Sequence, residues 1–588
     1  LPDRSFEASE LKENEVVDTR PPISAEATDN TKEAVKVKEI HVRDFGAVPG
    51  DGKNDLSAIR EALKLAMEAS PAKVVFESGR YILADEASAM SPNQFLALRK
   101  ARDITLEGNG AMFELRNPEL GFLAVVQSEN IRVRNLSINY DPLPNTSGRI
   151  IEFDPADSRV RIELLPGHPE LDSEPLQSVA LKAWMCLHNP EVPGRLVAGA
   201  NNFIRLDRFE RVSPRVYDIY FRKGSASRFQ DAPEGSIASI IGRKGGAQLF
   251  ANRGNRSILY EGITVYSSPE LVFVFVDTEG ITLDACHILV PEGRFMSTNG
   301  DAFHAQNCRG PIRILNCTFE GQVDDAINIY SKMGLVESLG AKPGELVVTR
   351  KMAATARLPA GRFLKGDSVV IYDILNGRVA HETVVSASET AERRVQLASV
   401  PDSIDIADNE RFVLFNQSLC RDVEITGNTL RNNRRFGVFL KASDVVIRDN
   451  LFDGMSGTAI MISYEKHYWE AGFSENVVIE ENTFLQAGFE AGYLHNDYMG
   501  TITALPGAVE AFNGLPALDP ELNAVEGIII RNNLFEDPET KLILGYAEDI
   551  EVIGNQLRTH PDFSRRASVI SAQHVRDLRV SGNQGWDD

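Results

Sequence analysis

The chain has 588 residues, and 62 basic against 84 acidic side chains give it a formal net charge of −22. A surface this acidic repels phosphate backbones, which argues against nucleic acid as a partner. No stretch approaches the roughly 18 consecutive apolar residues of a membrane-spanning helix, so no membrane span is predicted.

The first segment, residues 1–38, is polar and shows no sustained periodicity. It is predicted to be a flexible leader, because such a composition cannot bury enough apolar surface to order itself. The chain begins at Leu1 rather than Met. We therefore expect that a signal peptide has been removed and that the protein is secreted, periplasmic or held at the cell surface.

Ordered structure is predicted to begin near residue 39. The segment IHVRDFGAVPGDGKND predicts a short strand followed by a loop rich in Gly, Pro and Asp. A helix then starts near Asn54 or Asp55, either of which can cap it. The apolar face of this helix contains Ile59, Ala62, Leu63 and Ala66.

One phrase recurs between residues 104 and 584: alternating apolar residues, then Gly or Arg, then Asn, then an apolar pair. Asn428 and Asn450 are 22 residues apart, and so are Asn533 and Asn555. Short strands at this period, without helices between them, bury their faces when they stack as coils of a parallel β-helix. Asn is expected at the corners, where its side chain can form a ladder with the Asn of the next coil. A propeller is disfavoured, because its repeats are about 40 residues long.

Two stretches interrupt this period. Residues 142–250 and 334–415 alternate polar and apolar residues between turn signals, which predicts antiparallel hairpins long enough for two barrel-like subdomains. The predicted fold class is therefore all-β, a parallel β-helix with two inserted antiparallel β-barrel-like subdomains. The β-helix itself is assigned to residues 39–141 with the N-terminal cap, 251–333 with the catalytic coils, and 416–588 with the C-terminal coils.

The five cysteines are odd in number and contain no C-x-x-C pair. Neither a disulfide framework nor a zinc site is therefore predicted. Cys286 and Cys308 are 22 residues apart, close to the repeat period. We expect these two to stack as buried thiols on successive coils.

The candidate chemistry lies in residues 297–331, STNGDAFHAQNCRGPIRILNCTFEGQVDDAINIYS. Asp301 precedes Asp324 by 324 − 301 = 23 residues, so Asp301 is expected near Asp324 or Asp325 on the adjacent coil, about 4.8 Å away. Neighbouring residues of a strand point to opposite faces. Both Asp324 and Asp325 can reach one cleft only if the strand ends or bulges there.

Three carboxyl groups this close cannot all ionise at their ordinary pKa values, so one should stay protonated. A proton donor beside ionised carboxylates is what glycoside hydrolysis requires. Clustered carboxylates also suit Ca²⁺, and solvated turn aspartates are a third interpretation. The spacing alone leaves these alternatives open.

Several motifs resemble known families. The N-terminal pattern V-x-D-F-G-A-x-x-x-D-G-x-x-x-D resembles the cap of pectate-lyase-like right-handed β-helices. Asn299-Gly300-Asp301 and Asp324-Asp325-x-Ile327 are similar to the polygalacturonase-type hydrolases, which use three aspartates. The Gly-His-Gly motif of those enzymes is absent, and RNNRRFGVFLK only loosely resembles their basic motif.

The segments NGDAFH and VDDAINIY, with the β-helix and its two insertions, more closely resemble glycoside hydrolase family 110, the bacterial α-1,3-galactosidases. This resemblance covers residues 38–588 and implies inverting release of terminal α-1,3-linked galactose, as in blood group B or linear α-Gal glycans. It implies that Asp324 is the general acid and that Asp301 and Asp325 hold the water. No cofactor and no metal are expected.

Nine further side chains are predicted to bind the substrate, because they follow the acids along their coils or lie on neighbouring coils and turns. They are His304, Asn328, Tyr330, Arg435, Lys441, Tyr464, Glu465, Trp469 and Glu270. Residues 463–473, SYEKHYWEAGF, are predicted to wall a subsite, because sugars stack on aromatic rings.

Three other functions fit parts of the pattern. They are a polygalacturonase-like hydrolase of α-linked galacturonides, a Ca²⁺-dependent pectate lyase and a non-catalytic glycan-binding β-helix. A chelator would inactivate the lyase alone, and the binding protein would show affinity without turnover. The flat sides of a β-helix often pair, so a homodimer is also expected.

Overall fold

The computed structural model describes most of the chain from residue 37 onward. The described residues are 37–84, 87–173, 176, 183–200, 202–221, 234–242, 247–351, 357–359, 363–389, 393–401, 404, 411–490, 497–510, 518–536, 540–558 and 569–586. The predicted leader, residues 1–38, lies almost wholly outside them. In the described part of the chain, no helix is long and apolar enough to cross a membrane.

The N-terminal part combines one α-helix with the first strands of a parallel sheet. Its elements are β1 (Lys38–His41), a 3₁₀ helix (Val42–Phe45), α1 (Leu56–Glu68), β2 (Ala72–Val75), β3 (Gly79–Leu83), β4 (Gln94–Arg99), β5 (Arg102–Leu115), β6 (Gly121–Val126) and β7 (Glu129–Tyr140). The predicted apolar face of α1 is buried against these strands. Asp55 precedes α1, and its carboxylate accepts hydrogen bonds from the N–H groups of Val48 and Ile82.

The remaining coils follow in two blocks. The central block contains β14 (Phe250–Arg253), β15 (Arg256–Val265), β16 (Phe273–Val276), β17 (Glu279–Asp284), β18 (His287–Ile288), β19 (Phe303–Gln306), β20 (Arg309–Leu315), β21 (Thr318–Glu320) and β22 (Ile327–Lys332). The C-terminal block begins with β30 (Arg421–Thr426), β31 (Thr429–Arg431), β32 (Val438–Leu440), β33 (Ser443–Arg448), β34 (Leu451–Met455), β35 (Ile460–Ile462), β36 (Glu470–Ala471), β37 (Ser474–Glu480) and β38 (Thr483–Ala487). It ends with β39 (Ile502–Ala504), a 3₁₀ helix (Ala508–Glu510), β40 (Val525–Arg531), β41 (Leu534–Phe535), β42 (Leu542–Ile553), β43 (Gln556–Leu557) and β44 (Ile570–Ser581).

These strands stack in parallel on three faces, which confirms the predicted β-helix. One coil is formed by β19, β20 and β21, and each of these strands pairs in parallel with its counterpart in the next coil. The face that carries β16, β19, β22, β32 and β35 is continuous, although the whole second insertion lies in the chain between Ile327 of β22 and Val438 of β32. The insertion therefore leaves the stacking of this face unbroken.

The predicted asparagine ladder is present inside one corner of the C-terminal coils. The side-chain amide of Asn428 donates to that of Asn450 at 2.9 Å, and Asn450 donates in the same way to Asn482 at 2.9 Å. The ladder continues through Asn533 and Asn555 at 3.0 Å per step. Each of these asparagines is buried, so each side-chain amide supplies a hydrogen bond to a neighbouring polar group that water cannot reach.

All five cysteines are buried and free, but the predicted stacking of Cys286 on Cys308 is wrong. Cys286 lies against Cys317. His287 of β18 pairs with Thr318 of β21, and this register also aligns the cysteines that directly precede them. Cys308 lies against Cys420, whose N–H donates to the Cys308 carbonyl at 2.7 Å. Coil length varies along the chain, so a single repeat period does not identify stacking partners.

Both insertions form antiparallel barrels in which six strands make the closed ring, and the second has a seventh strand outside the ring. The first barrel contains β8 (Asn145–Asp154), β9 (Arg159–Leu164), β10 (Trp184–His188), β11 (Ile204–Ser213), β12 (Val216–Phe221) and β13 (Ile237–Ile241), and it closes through pairing of β13 with β8. The second barrel contains β23 (Gly334–Leu339), β24 (Glu345–Lys351), β25 (Arg357–Pro359), β26 (Ser368–Asp373), β27 (Arg378–Glu389), β28 (Arg394–Leu397) and β29 (Phe412–Asn416). It closes through pairing of β23 with both β24 and β29, and β25 adds to the edge of β24. The predicted antiparallel subdomains are thus confirmed.

Two buried histidines of the first barrel predict acid sensitivity. Burial lowers the pKa of both His168 and His188 to about 4 from the ordinary 6.5. The unfolded chain therefore binds protons below pH 6.5 that the folded chain does not bind, so stability is complete above pH 6.5 and falls as pH drops towards 4. Each histidine contributes about 3 kcal/mol to this loss.

Urea denaturation at several pH values tests this expectation. His188→Phe should reduce the loss of unfolding free energy between pH 6.5 and 4 by about 3 kcal/mol, because its protonation site is gone. His41→Gln, at an exposed position, serves as the control and should leave the profile unchanged. An unaltered profile in His188→Phe would contradict the assignment.

Candidate active site

The register of three neighbouring strands places the acids. Phe303 of β19 pairs with Ile327 of β22, so Asp301 and Asp325, each two residues before its paired residue, stand side by side. The next pairing, Ile327 with Val438 of β32, places Arg435 beside Asp324. The spacing in the sequence did not decide between Asp324 and Asp325 as the neighbour of Asp301, and the register does.

Each acid lies in irregular backbone just before its strand rather than within the strand. Asp301 precedes β19, and Asp324 and Asp325 precede β22. The alternation of side chains along a strand therefore does not apply, and all three carboxylates converge. Each offers an oxygen within 4.8 Å of the others. The condition that the strand must end before both aspartates can reach one cleft is met.

Asp325 is the most deeply buried of the three, with 1% of its surface exposed. Its Oδ2 atom lies 3.1 Å from Arg435 Nη1, and its Oδ1 atom accepts the N–H of Phe436 at 3.2 Å. Burial raises the pKa of Asp325 well above its usual range, Arg435 opposes this, and the charges of Asp324 and Asp301 reinforce it. A proton is therefore retained readily within the cluster.

Asp301 is oriented by a histidine of its own strand. His304 Nδ1 lies 2.7 Å from Asp301 Oδ2, and His304 Nε2 lies 2.9 Å from the Tyr330 hydroxyl. Tyr330 in turn donates to Gln306 Oε1 at 3.1 Å. His304 was predicted to bind a sugar hydroxyl, but both of its ring nitrogens are engaged within the protein. Its position supports Asp301 directly.

Arg435 connects the acids to Glu465. Its Nη2 atom donates to both Glu465 oxygens at 2.9 and 3.1 Å, and its Nη1 atom lies 3.8 Å from Asp324 Oδ1. Burial raises the pKa of Glu465, Arg435 opposes this, and Glu470 reinforces it. The structure thus brings both predicted residues, Arg435 and Glu465, to the acids.

Lys441 is fully enclosed beside this network, and its contact with the substrate stays a prediction. Its ammonium donates to Asn328 Oδ1 at 2.9 Å and to Glu470 Oε2 at 2.8 Å. Burial lowers the pKa of Lys441, although Glu470 and Glu465 oppose the shift. Burial would raise the pKa of Glu470, but Lys441, Lys332 and His304 together lower it to about 2. Lys441 and Glu470 therefore form a buried ion pair that supports Asn328.

Residues 463–473, here called the site hairpin, cover this part of the sheet. Glu465 and Glu470 form an isolated antiparallel bridge, and β36 pairs antiparallel with β22 through Lys332↔Glu470. Trp469 is half-buried against the core. Tyr464 is buried and packs on Tyr372 of the second barrel, with ring centroids 6.0 Å apart. The predicted place of Tyr464 in the subsite wall stays a prediction.

Three other predicted residues lie behind the cleft surface. Asn328 and Tyr330 are buried beneath the site hairpin, with 3% and 2% of their surfaces exposed. Glu270 is fully buried on the preceding coil, where the pairing of Ser268 with Thr298 places it beside Gly300. Their substrate contacts stay predictions, because burial alone does not decide them and Asp325 of the acid cluster is buried to a similar extent.

The first barrel supplies a second wall, which the sequence did not reveal. The Arg434 guanidinium lies over the rings of Trp184 and Phe203, 4.7 and 5.0 Å from their centroids. Its Nε atom donates to the Asn202 carbonyl at 3.1 Å, and its Nη1 atom lies 3.7 Å from Asp324 Oδ1. No motif signals that residues so far apart in the chain meet here. Glu470 was also missed, although the segment that carries it was recognised.

A divalent cation could be held by the three clustered carboxylates, since Ca²⁺ prefers oxygen ligands of this kind. Two guanidinium groups, those of Arg434 and Arg435, already face the same carboxylates. They supply positive charge where a cation would bind. The expectation that no metal is needed stays a prediction.

Comparison with known proteins agrees with the motifs. Residues 402–504 match a family described as "Right handed beta helix region". Alpha-1,3-galactosidase B of Phocaeicola vulgatus is 25% identical over 607 aligned residues, which cover 94% of this chain and 95% of that protein. Alpha-1,3-galactosidase A of Shewanella woodyi is 23% identical, with 94% and 91% covered, and alpha-1,3-galactosidase B of Akkermansia muciniphila is 22% identical, with 91% and 68% covered. The predicted resemblance and the predicted right-handed β-helix are confirmed.

Proposed function

We propose that this chain is an exo-acting, inverting α-galactosidase that removes terminal α-1,3-linked galactose from glycans of the blood group B or linear α-Gal type. The observation that carries the proposal is the convergence of Asp301, Asp324 and Asp325 in one cleft. It is supported by similarity over almost the whole chain to proteins named alpha-1,3-galactosidase.

The enclosure of the acids on two sides supports action on a chain end. The site hairpin covers one side, and Arg434 with its aromatic partners covers another. Among the charged groups at the acids, Asp324, His304 and Arg435 each retain 17% of their side-chain surface exposed. Acids that are enclosed in this way suit one terminal sugar better than a polysaccharide that extends through the site.

The roles of the acids follow from their surroundings. Asp324 is the most exposed of the three, so it is assigned as the general acid that protonates the glycosidic oxygen while the bond from that oxygen to C1 breaks. Asp301 and Asp325 occupy equivalent positions on adjacent coils and are assigned to hold the attacking water. One of them accepts the water proton as the new C1–O bond forms, which leaves galactose with the opposite anomeric configuration.

A neutral sugar fits the charges better than a uronate. Arg435 is shared by Asp325 and Glu465, and Lys441 is paired with Glu470. Arg434 faces Asp324. A uronate-binding enzyme needs a cation available for the substrate carboxylate, and these three cations already face protein carboxylates. This favours galactose over galacturonate.

The close spacing of the acids favours a second candidate mechanism, retention. Carboxyl groups about 5–5.5 Å apart are typical of retaining glycosidases, and groups about 6.5–9.5 Å apart are typical of inverting ones. Here each of the three carboxylates has one oxygen that lies within 4.8 Å of one oxygen of the other two. In a retaining mechanism, one aspartate would attack C1 itself. The anomer released first distinguishes the two mechanisms.

Time-resolved NMR of the wild-type protein with Gal-α1,3-Gal tests this function. We expect β-galactose to appear first and to mutarotate afterwards. The rate of galactose release should be unchanged in EDTA. Initial release of α-galactose would establish retention instead. Loss of activity in EDTA would indicate a metal-dependent reaction, and binding without release would indicate a glycan-binding protein. Cleavage of a galacturonide in preference to Gal-α1,3-Gal would favour the polygalacturonase-like alternative.

A further inference from the structure

Asn299, two residues before Asp301, makes an unusual set of hydrogen bonds. Its Nδ2 atom donates to the carbonyls of Pro144 and Gly242, each at 3.0 Å, and its Oδ1 atom accepts Nδ2 of Asn145 at 3.0 Å. The side chain is fully buried. Both amide hydrogens are therefore used, and the amide is held in one orientation.

The partners of Asn299 are the two ends of the first barrel. Pro144 and Asn145 are where the chain leaves the β-helix and enters β8, and Gly242 directly follows the last barrel strand, β13. These three residues are distant from Asn299 in the chain but contact it in the folded structure. One side chain of the acid-bearing turn thus binds both ends of the inserted barrel.

The turn from Asn299 to Asp301 has little freedom to move independently. The N–H of Asn299 donates to the Ser268 carbonyl at 3.0 Å, and the carbonyl of Asp301 accepts the N–H of Val272 at 2.9 Å. A Cβ atom at Gly300 would lie 2.8 Å from the Leu271 nitrogen. The backbone is therefore packed directly on the preceding coil, and displacement of Asn299 is passed to Asp301.

We propose that Asn299 is a positioning residue through which the first barrel fixes the location of Asp301. This inference rests on the proposed galactosidase function, and it makes the barrel a part of the catalytic machinery rather than an appendage. Asn299 is too deeply buried to touch the sugar, so it acts only through Asp301. A misplacement of about 1 Å at a catalytic group can reduce turnover about 100-fold.

A second, independent contact connects the same barrel to the side of the cleft that carries Asp324. Trp184 of β10 and Phe203, just before β11, enclose Arg434, which faces Asp324. The barrel therefore reaches both catalytic turns, one through the Asn299 amide and one through the Arg434 guanidinium. A rigid placement of the barrel would set Asp301 and Asp324 relative to each other.

Two variants test the proposal from opposite sides of the contact. Asn299→Asp keeps the shape but turns a carboxylate towards two carbonyl oxygens, and Asn145→Ala removes the partner on the barrel side. For Gal-α1,3-Gal, kcat is expected to fall about 100-fold in Asn299→Asp and about tenfold in Asn145→Ala, with KM within about threefold of wild type. A loss confined to kcat indicates a misplaced catalytic group rather than lost substrate binding.

Asn482→Ala is the matched control, because Asn482 is also buried and makes a similar number of hydrogen bonds in the ladder, away from the acids. It should lower Tm while kcat stays within about twofold of wild type. The proposal is overturned if kcat in Asn145→Ala stays within twofold of wild type, whether or not Asn299→Asp folds. An inactive wild-type protein would overturn the galactosidase function itself, which separates the two failures.

Discussion

Replacing Asp324 by Asn is expected to lower kcat for Gal-α1,3-Gal by about 10³- to 10⁴-fold, because the leaving sugar would depart without a proton. Asp324 is assigned as the acid on the basis of its exposure and its distances of 3.7 and 3.8 Å from Arg434 and Arg435. A 2,4-dinitrophenyl α-galactoside needs little protonation to leave, so its kcat should fall about tenfold or less. Steady-state kinetics with both substrates measures this difference.

Asp422→Asn is the control for this experiment. The Asp422 side chain is 60% exposed and pairs with Arg313 on the outside of the β-helix, so kcat should remain at the wild-type value. Equal losses for both substrates in Asp324→Asn would contradict the role of Asp324 as the acid. They would instead point to a role in water activation, which is assigned to Asp301 and Asp325.

Replacing Lys441 by Met is expected to cost about 3–5 kcal/mol of unfolding free energy. The Lys441 side chain is fully buried, and its loss would leave the buried Glu470 of the site hairpin without its cation. In the wild-type protein burial would raise the pKa of Glu470, and Lys441 is the largest of the charges that lower it to about 2, so the variant leaves the effect of burial largely unopposed. Urea denaturation followed by far-UV circular dichroism measures the cost.

The double variant Lys441→Met/Glu470→Gln should recover most of the loss, because no buried charge is then left without a partner. Lys73→Met serves as the control, since Lys73 forms an exposed pair with Glu39. Its removal should cost no more than about 1 kcal/mol. A single Lys441→Met variant as stable as this control would show that the buried pair does not stabilise the fold.

The fold could be predicted because each coil repeats a recognisable pattern of residues in the sequence. The recurring Asn marks one corner of the β-helix, and the same side chains form the ladder from Asn428 to Asn555. The acids could be predicted for a related reason, since residues about one coil apart become neighbours. Turn signals identified both insertions, because closed barrels need short antiparallel strands.

Pairings that depend on local coil length could not be predicted. The coil that joins β18 to β21 is longer than the one that joins β19 to β22, so Cys286 meets Cys317 rather than Cys308. The contacts that the inserted barrels make with the β-helix could not be predicted from the sequence either. The approach of Trp184 to Arg434 depends on how a barrel sits on the β-helix, and neither periodicity nor spacing records that.

The pairing of Ile327 in β22 with Val438 in β32 has an evolutionary consequence. An entire barrel enters the chain between these two residues, yet they still pair as neighbours, and Arg435 still stands beside Asp324. Each coil is fixed by its neighbours and not by the length of the loop that leads to it. New material can therefore accumulate at the corners and reshape the entrance while the reacting groups remain unchanged. Substrate preference and bond-breaking chemistry can diversify separately in such a scaffold.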